Sequence, residues 1–234
     1  MEWLQIVVLA LVQGVTEFLP VSSSGHLVLV SALTGWPDQG LGMHVALHAG
    51  TLLTVLLYVR ADSLGLVRGA LGLVRGRVTG EARLLLLLAL ATLPLVAAGL
   101  LAQVLIMAHA RAVGVIAATT LLFGALLLVA DRRAGTRTVA DVTIAHALVI
   151  GGAQTLALIP GTSRSGITLT AACLLGYRRD EAARLALLLS IPAIVGAATL
   201  LLAGGLTVGM SIQVVEMITA AAWPSGPPMP RSGA

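Results

Sequence analysis

Apolar residues run along the chain with few interruptions, and the polar positions divide them into segments of two kinds. Stretches at about Leu41–Val59, Leu84–Met107, Ala112–Ala130, Ala183–Leu202 and Leu206–Ala222 are each close to the ~20 residues a helix needs to cross a bilayer. They predict five spanning helices. Two further apolar regions are cut near the middle by proline, glycine and hydroxyl residues. Leu4–Leu33 is cut by Pro20-Val21-Ser22-Ser23-Ser24-Gly25-His26, and Val142–Leu175 by Pro160-Gly161-Thr162-Ser163-Arg164-Ser165-Gly166. Each half is only about 12–17 residues, short for a crossing, and irregular polar backbone is tolerated at depth only where protein buries it or a wet cavity lies beside it. Both regions are therefore predicted to be re-entrant hairpins.

The two hairpins form a weak internal repeat, with Phe18-Leu19-Pro20 and its serine run answering Leu158-Ile159-Pro160 and its own. Arginines crowd Arg60–Arg83, Arg132–Arg137 and Arg178–Arg184, while Gly35–Gly42 has none and Ala108–Ala112 only Arg111. By the positive-inside rule the first group is cytoplasmic. Three helices separate the hairpins, so one enters from outside and the other from inside, and the two halves are inverted. The predicted fold is an all-α polytopic membrane protein with an inverted-topology repeat. One integral domain covers residues 1–222, with repeats at 1–130 and 141–222, and 223–234 form a Pro/Gly-rich tail expected to be disordered. Paired interrupted segments in inverted halves point to a site at the midplane, where the hairpin tips meet.

Composition agrees with a lipid environment and excludes a water-soluble enzyme. The 234 residues are 58% apolar and 10% charged, against about 45–50% and 25% in soluble domains, and mean hydropathy is +1.00. With only 3% aromatics and 26 glycines, helices packed through small residues fit better than a β-barrel with aromatic girdles. The net charge of +4 comes from 14 basic residues, all arginine, but no cluster is dense enough for a nucleic-acid partner. Cys173 stands alone, which excludes an intramolecular disulfide or a Cys-based metal cluster, and it is read as a packing residue.

The hairpin tips concentrate the chemistry. Gln13 and Glu17 lie i,i+4 on one helix face, and a carboxylate at this depth is costly unless a partner, metal or water pocket receives it. Ser22, Ser23 and Ser24 suit helix capping, or an anion site at a helix N-terminus. His26 follows within a turn, bringing a titratable base near a nucleophile. Arg164 sits between Ser163 and Ser165 and needs an anionic partner, phosphate or Glu17. Hydroxyls, histidine, carboxylate and guanidinium together make a kit for phosphoryl chemistry. His44 and His48, also i,i+4, read as packing or pore-lining residues, with His48-Ala49-Gly50-Thr51 at a depth that borders the pocket.

The segments Gln13-Gly14-Val15-Thr16-Glu17-Phe18-Leu19-Pro20-Val21-Ser22-Ser23-Ser24-Gly25-His26 and Pro160-Gly161-Thr162-Ser163-Arg164-Ser165-Gly166 resemble the two signature segments of the undecaprenyl diphosphate phosphatases, the bacitracin-resistance family. The likeness extends over roughly Met1 through Leu202. It implies an enzyme of the bacterial plasma membrane that removes the terminal phosphate of a C55 polyprenyl diphosphate, with its site open to the extracytoplasmic side and the prenyl tail between helices. Such an enzyme regenerates the lipid carrier for peptidoglycan precursors. Carried over residue by residue, the family's acidic pair falls on Gln13 and Glu17, its serine and histidine on Ser23 and His26, and its diphosphate-binding arginine on Arg164. Ser22 and Ser24 line the site, and Gly161, Thr162, Ser163, Ser165 and Gly166 complete the substrate-binding turn. A divalent cation, Mg²⁺ or Ca²⁺, is implied, with Glu17 and Gln13 as its ligands. The attacking group stays open between Ser23, His26 and water.

Broken helices in an inverted repeat also suit a transporter or a polyprenyl-phosphate flippase, although transport needs no nucleophile. The partners expected are the polyprenyl diphosphate and membrane lipid, with a homodimer as a further assembly to test. By its own internal symmetry the chain reads as one helix short after Ala222, as a truncated or naturally short form would be.

Overall fold

A computed structural model describes residues 3–36, 40–102 and 113–208. The described residues are helical, with one isolated bridge between Arg137 and Tyr177. The first hairpin is α1 (Trp3–Thr16) and α2 (Ser23–Thr34); α3 (Gly40–Tyr58) follows, then α4 (Arg60–Val74), α5 (Gly80–Ala102) and α6 (Val113–Asp131). The second hairpin is α7 (Ile144–Gln154), continued by a 3₁₀ turn over Thr155–Leu158, and α8 (Arg164–Leu174); α9 (Arg179–Val208) completes the described chain.

α1 shows what solvent this fold is built for. Its buried residues are Gln5, Leu9, Gln13 and Thr16, whereas Leu4, Val7, Leu11 and Val15 are exposed. A polar stripe turned inward and leucine and valine turned outward reverse the pattern of a helix in water, and they suit one whose outer face meets lipid. α5 and α6 are each long and apolar enough to cross a membrane. α3 and α4 would count as a third candidate together, but they meet at 94°. With the apolar surface of the other helices, this makes the chain an integral membrane protein. The predicted spans at Leu41–Val59, Leu84–Met107 and Ala112–Ala130 correspond to α3, α5 and α6. The boundary expected at Leu202 does not appear, because α9 continues through Gly204-Gly205 to Val208. The rest of the fifth predicted span, Leu206–Ala222, and the tail at 223–234 lie outside the described residues.

α5 is the central post, packed by α4, α7 and α9, while α8 lies against α6, α7 and α9. Small residues set the closest approaches. A Cβ on Gly151 of α7 would stand 2.5 Å from the Ala91 carbonyl oxygen of α5, and the Gln154 amide donates to that same oxygen at 3.0 Å. Gly151→Val is expected to force α5 and α7 apart and to destabilise the protein by about 1–3 kcal/mol, measured as a lower midpoint of thermal unfolding in detergent. Pro94 in α5 and Pro192 in α9 each remove a helix N–H, which bends a helix. The residues just beyond each proline line the cavity described below.

One end of the bundle is polar. Arg184 on α9 pairs with Asp62 on α4, and with Glu181 at 3.4 Å; Glu181 also accepts from the Val139 N–H at 2.8 Å. Arg179 pairs with Asp131 at 2.5 Å. Tyr177 is fully buried, its hydroxyl 2.7 Å from His146 Nδ1. Asp141 accepts from the backbone N–H and hydroxyl of Thr138, which hold its carboxyl below the usual range.

Candidate active site

The two hairpin tips are built by the same local chemistry. Ser22 caps α2 in extended backbone and accepts from the Gly25 N–H at 3.2 Å; Ser163 caps α8 likewise and accepts from the Gly166 N–H at 3.1 Å. Each serine satisfies an N–H that the first turn leaves without an intrahelical acceptor. The tips touch: the Ser165 hydroxyl donates to the Leu19 carbonyl at 3.3 Å, and Pro20 O lies 3.1 Å from where a Cβ on Gly166 would stand. α6 braces the second tip, with Thr119 donating to Pro160 O at 2.6 Å and Thr120 to Gly161 O at 3.0 Å. Gly161 has φ +91°, and a Cβ there would meet Ile116 O at 2.5 Å. Only glycine gives the tip both that backbone and that approach.

Glu17 is the hub where these elements converge. Its Oε2 accepts from the Ser23 hydroxyl at 2.9 Å and from Gln13 Nε2 at 3.0 Å, and lies 3.3 Å from His48 Nε2. Its Oε1 accepts from Arg164 Nη2 at 2.9 Å, with the two side chains only 10% and 19% exposed. The carboxylate of the first hairpin and the guanidinium of the second are thus joined across residues far apart in sequence. A charge at this depth is retained only if it is paired and hydrogen-bonded, and Glu17 meets both conditions.

Glu17, Ser22, Ser23, His48, Thr162, Ser163, Arg164 and Ser165 line a cavity of about 350 Å³. The rest of its lining is apolar: Val21 of the first tip, Leu95, Val96 and Gly99 of α5, Ala157 and Leu158, and Ala193, Ile194 and Ala197 of α9. A polar headgroup and an apolar chain can be held side by side there.

The sequence-predicted residues fall unequally around this cavity. Glu17, Ser22, Ser23, Thr162, Ser163, Arg164 and Ser165 line it, and Gln13 sits behind Glu17, fully buried. Gly161 and Gly166 shape the backbone of the second tip. Ser24 is in the first turn of α2, but its side chain lies outside the described residues, as does that of His44. His26 is not among the lining residues; its Nδ1 is 2.7 Å from the Ser22 carbonyl. A carbonyl only accepts, so in this contact Nδ1 is the donor. His48, read from sequence as packing or pore-lining at a depth that borders the pocket, lines the cavity and also touches the central carboxylate. Thr119 and Thr120 were not singled out, and a pair of threonines inside an otherwise apolar helix was the available sign.

A cation has oxygen donors to meet here. Gln13 Oε1 and Thr162 Oγ1 are buried without a hydrogen-bond partner among the described residues, and with the Glu17 carboxylate they are hard oxygen donors. One carboxylate plus the oxygens of a phosphate substrate is the usual provision for Mg²⁺, so the residues fit such an ion. No cluster of three acidic, histidine or cysteine side chains occurs among the described residues, so an ion at Glu17 would draw its remaining ligands from amide, hydroxyl and substrate oxygens.

Known proteins with the same pattern carry a consistent name. The chain is 55% identical over 203 residues to an undecaprenyl-diphosphatase of Alcanivorax borkumensis, covering 86% of this chain and 76% of the relative. It is 54% identical over 198 residues to that of Hahella chejuensis, covering 84% and 74%. Identity to that of Chromohalobacter salexigens is 48% over 225 residues, covering 95% and 82%. The family model described as Bacitracin resistance protein BacA matches residues 6–224, which takes in both hairpin tips and every site residue above. The chain belongs to the BacA bacitracin-resistance family.

Proposed function

We propose that the protein is an undecaprenyl-diphosphatase: it hydrolyses undecaprenyl diphosphate to undecaprenyl phosphate and inorganic phosphate, recycling the lipid carrier for peptidoglycan synthesis and so conferring bacitracin resistance. The observation that carries this reading is the Glu17 carboxylate, held between a serine hydroxyl and an arginine in the lining of a cavity that also has apolar residues. Transport requires no nucleophile, and the relatives are named as diphosphatases.

Arg164 holds the diphosphate, its fork matching two phosphate oxygens. Ser23 attacks the terminal phosphorus as its proton passes to Glu17 Oε2, 2.9 Å away. The anhydride P–O bond breaks and undecaprenyl phosphate leaves. Water then displaces the phosphate from Ser23; Glu17 returns its proton to the serine oxygen, and the water's surplus proton goes to solvent. His26, a turn along α2, is assigned the relay of that surplus proton toward solvent. Glu17 and Gln13 Oε1 would hold Mg²⁺ or Ca²⁺, which when bound neutralises charge on the diphosphate. His48 fixes the rotamer of Glu17 from the far side.

The inverted repeat is supported by a match that needs no gap. Gln13 precedes its cap Ser22, and Gln154 its cap Ser163, by the same nine positions. Both glutamines are fully buried, each with its amide nitrogen bonded and its oxygen unpartnered. In this register Glu17 faces Leu158, and Ser23 faces Arg164. The repeat's symmetric parts are therefore structural, while its reactive groups are divided between the halves. Arginine placement supports a bacterial inner-membrane protein whose polar end lies on the cytoplasmic side and whose site opens to the extracytoplasmic side.

The experiment is phosphate release from a polyprenyl diphosphate by protein in detergent with Mg²⁺ or Ca²⁺. Ser23→Ala should lower release by about 10³-fold or more if the serine attacks; near-normal release would give the attack to water. His48→Ala should lower kcat about tenfold, the value of one hydrogen bond to a charged group. His48→Gln keeps a donor and should restore most of it.

A further inference from the structure

α4 turns from α3 by 94°, and its sides differ in an informative way. Gly65, Leu66 and Gly69 are buried against the bundle, and a Cβ on Gly69 would come within 2.7 Å of the α5 backbone. Asp62, the acidic residue of its first turn, is also turned inward and paired with Arg184. The outer side carries Leu64, Val67, Leu71 and Val74, each at least half exposed. Arg60 and Arg68 are exposed among them, and Arg75 and Arg77 follow in the turn after the helix. The described ion pairs use Arg164, Arg178, Arg179 and Arg184, so Arg60, Arg68, Arg75 and Arg77 have no acidic partner among the described residues.

We infer that α4 lies in the plane of the membrane surface and that its arginines form a binding face for anionic phospholipid headgroups. Leucine and valine interleaved with arginine on one exposed face suit neither water nor the hydrocarbon core. They do suit the boundary, where apolar side chains enter the acyl region and guanidinium groups reach up to phosphate. The glycine contacts hold α4 on the bundle, and the Asp62–Arg184 pair removes its carboxylate from the outer face. What remains outward is cationic, and each arginine strengthens attraction to an anionic membrane surface about fivefold.

The test uses the full chain carrying Val67→Cys, labelled with a fluorophore, in vesicles of phosphatidylcholine and phosphatidylglycerol; native Cys173 is buried. Quenching by brominated phosphatidylglycerol is compared with quenching by brominated phosphatidylcholine. A preference of fivefold or more for the anionic lipid is expected, lost at high salt. It should fall to within twofold of parity in the R60A/R68A/R75A/R77A variant and return in the fourfold lysine variant, with diphosphate hydrolysis retained in both. Equal quenching by the two lipids in the otherwise native chain would overturn the inference. So would weak quenching by both together with crosslinking between copies at position 67, which would make this face a contact with a second copy.

Discussion

Arg164→Ala is expected to lower phosphate release from a polyprenyl diphosphate by about 10³-fold, the range found when one preorganised charge is taken from a phosphoryl-transfer site. The geometry gives the reason. Arg164 opens α8 directly after its cap Ser163, so the positive end of the helix and the guanidinium act at one place. The second tip is held by Thr119, Thr120 and the close approach of Gly161 to α6, which fixes the position from which the guanidinium acts. Arg164→Lys keeps a charge but not the two-pronged fork, and should recover about tenfold of the loss. An unchanged thermal midpoint in Arg164→Lys would separate the catalytic effect from damage to the fold. If release by Arg164→Ala stays within tenfold of native, the diphosphate is held elsewhere.

Much of this arrangement was legible along the chain, for reasons special to membranes. Where apolar residues are the rule, each polar residue must be explained, and Glu17, Arg164 and the two serine runs stood out for that cost alone. The tips at Pro20 and Pro160 were legible because proline and glycine break helices under any packing. Helix ends were less so. α5 starts at Gly80, ahead of the apolar run, because the Thr79 hydroxyl accepts from the Ala82 N–H, and a polar first turn does not register as part of a hydrophobic stretch. α4 was missed as a helix because its arginines read as a topology signal, and only the bundle shows that Gly65 and Gly69 form its inner face. His48 could be placed at the right depth, but its contact with Glu17 depends on the angle between α1 and α3, which no local pattern encodes. The offset at which the two hairpins compare was also hidden: the prolines suggest one, the cap serines and buried glutamines another, one residue away.

Glu17 supports a prediction of similar size and a sharper one about coupling. Glu17→Gln should lower phosphate release by about 10²–10⁴-fold, the usual worth of a positioned general base, with little change of fold, since the amide oxygen still accepts from Arg164 and the amide nitrogen can donate to the Ser23 hydroxyl. Glu17→Ala differs: it leaves Arg164 buried without its partner, and breaking a buried pair from one side costs about 3–5 kcal/mol. A substantial fall in thermal midpoint should therefore accompany Glu17→Ala and be far smaller in Glu17→Gln. In the double variant Glu17→Ala with Arg164→Ala no charge is stranded, so its midpoint should lie above that of Glu17→Ala. Activity should behave the same way: two groups that act on one phosphate as a unit lose together about what each loses alone. Additive losses in both stability and rate would mean that the 2.9 Å contact between the hairpins couples neither the fold nor the chemistry, and the two tips would then be separate sites.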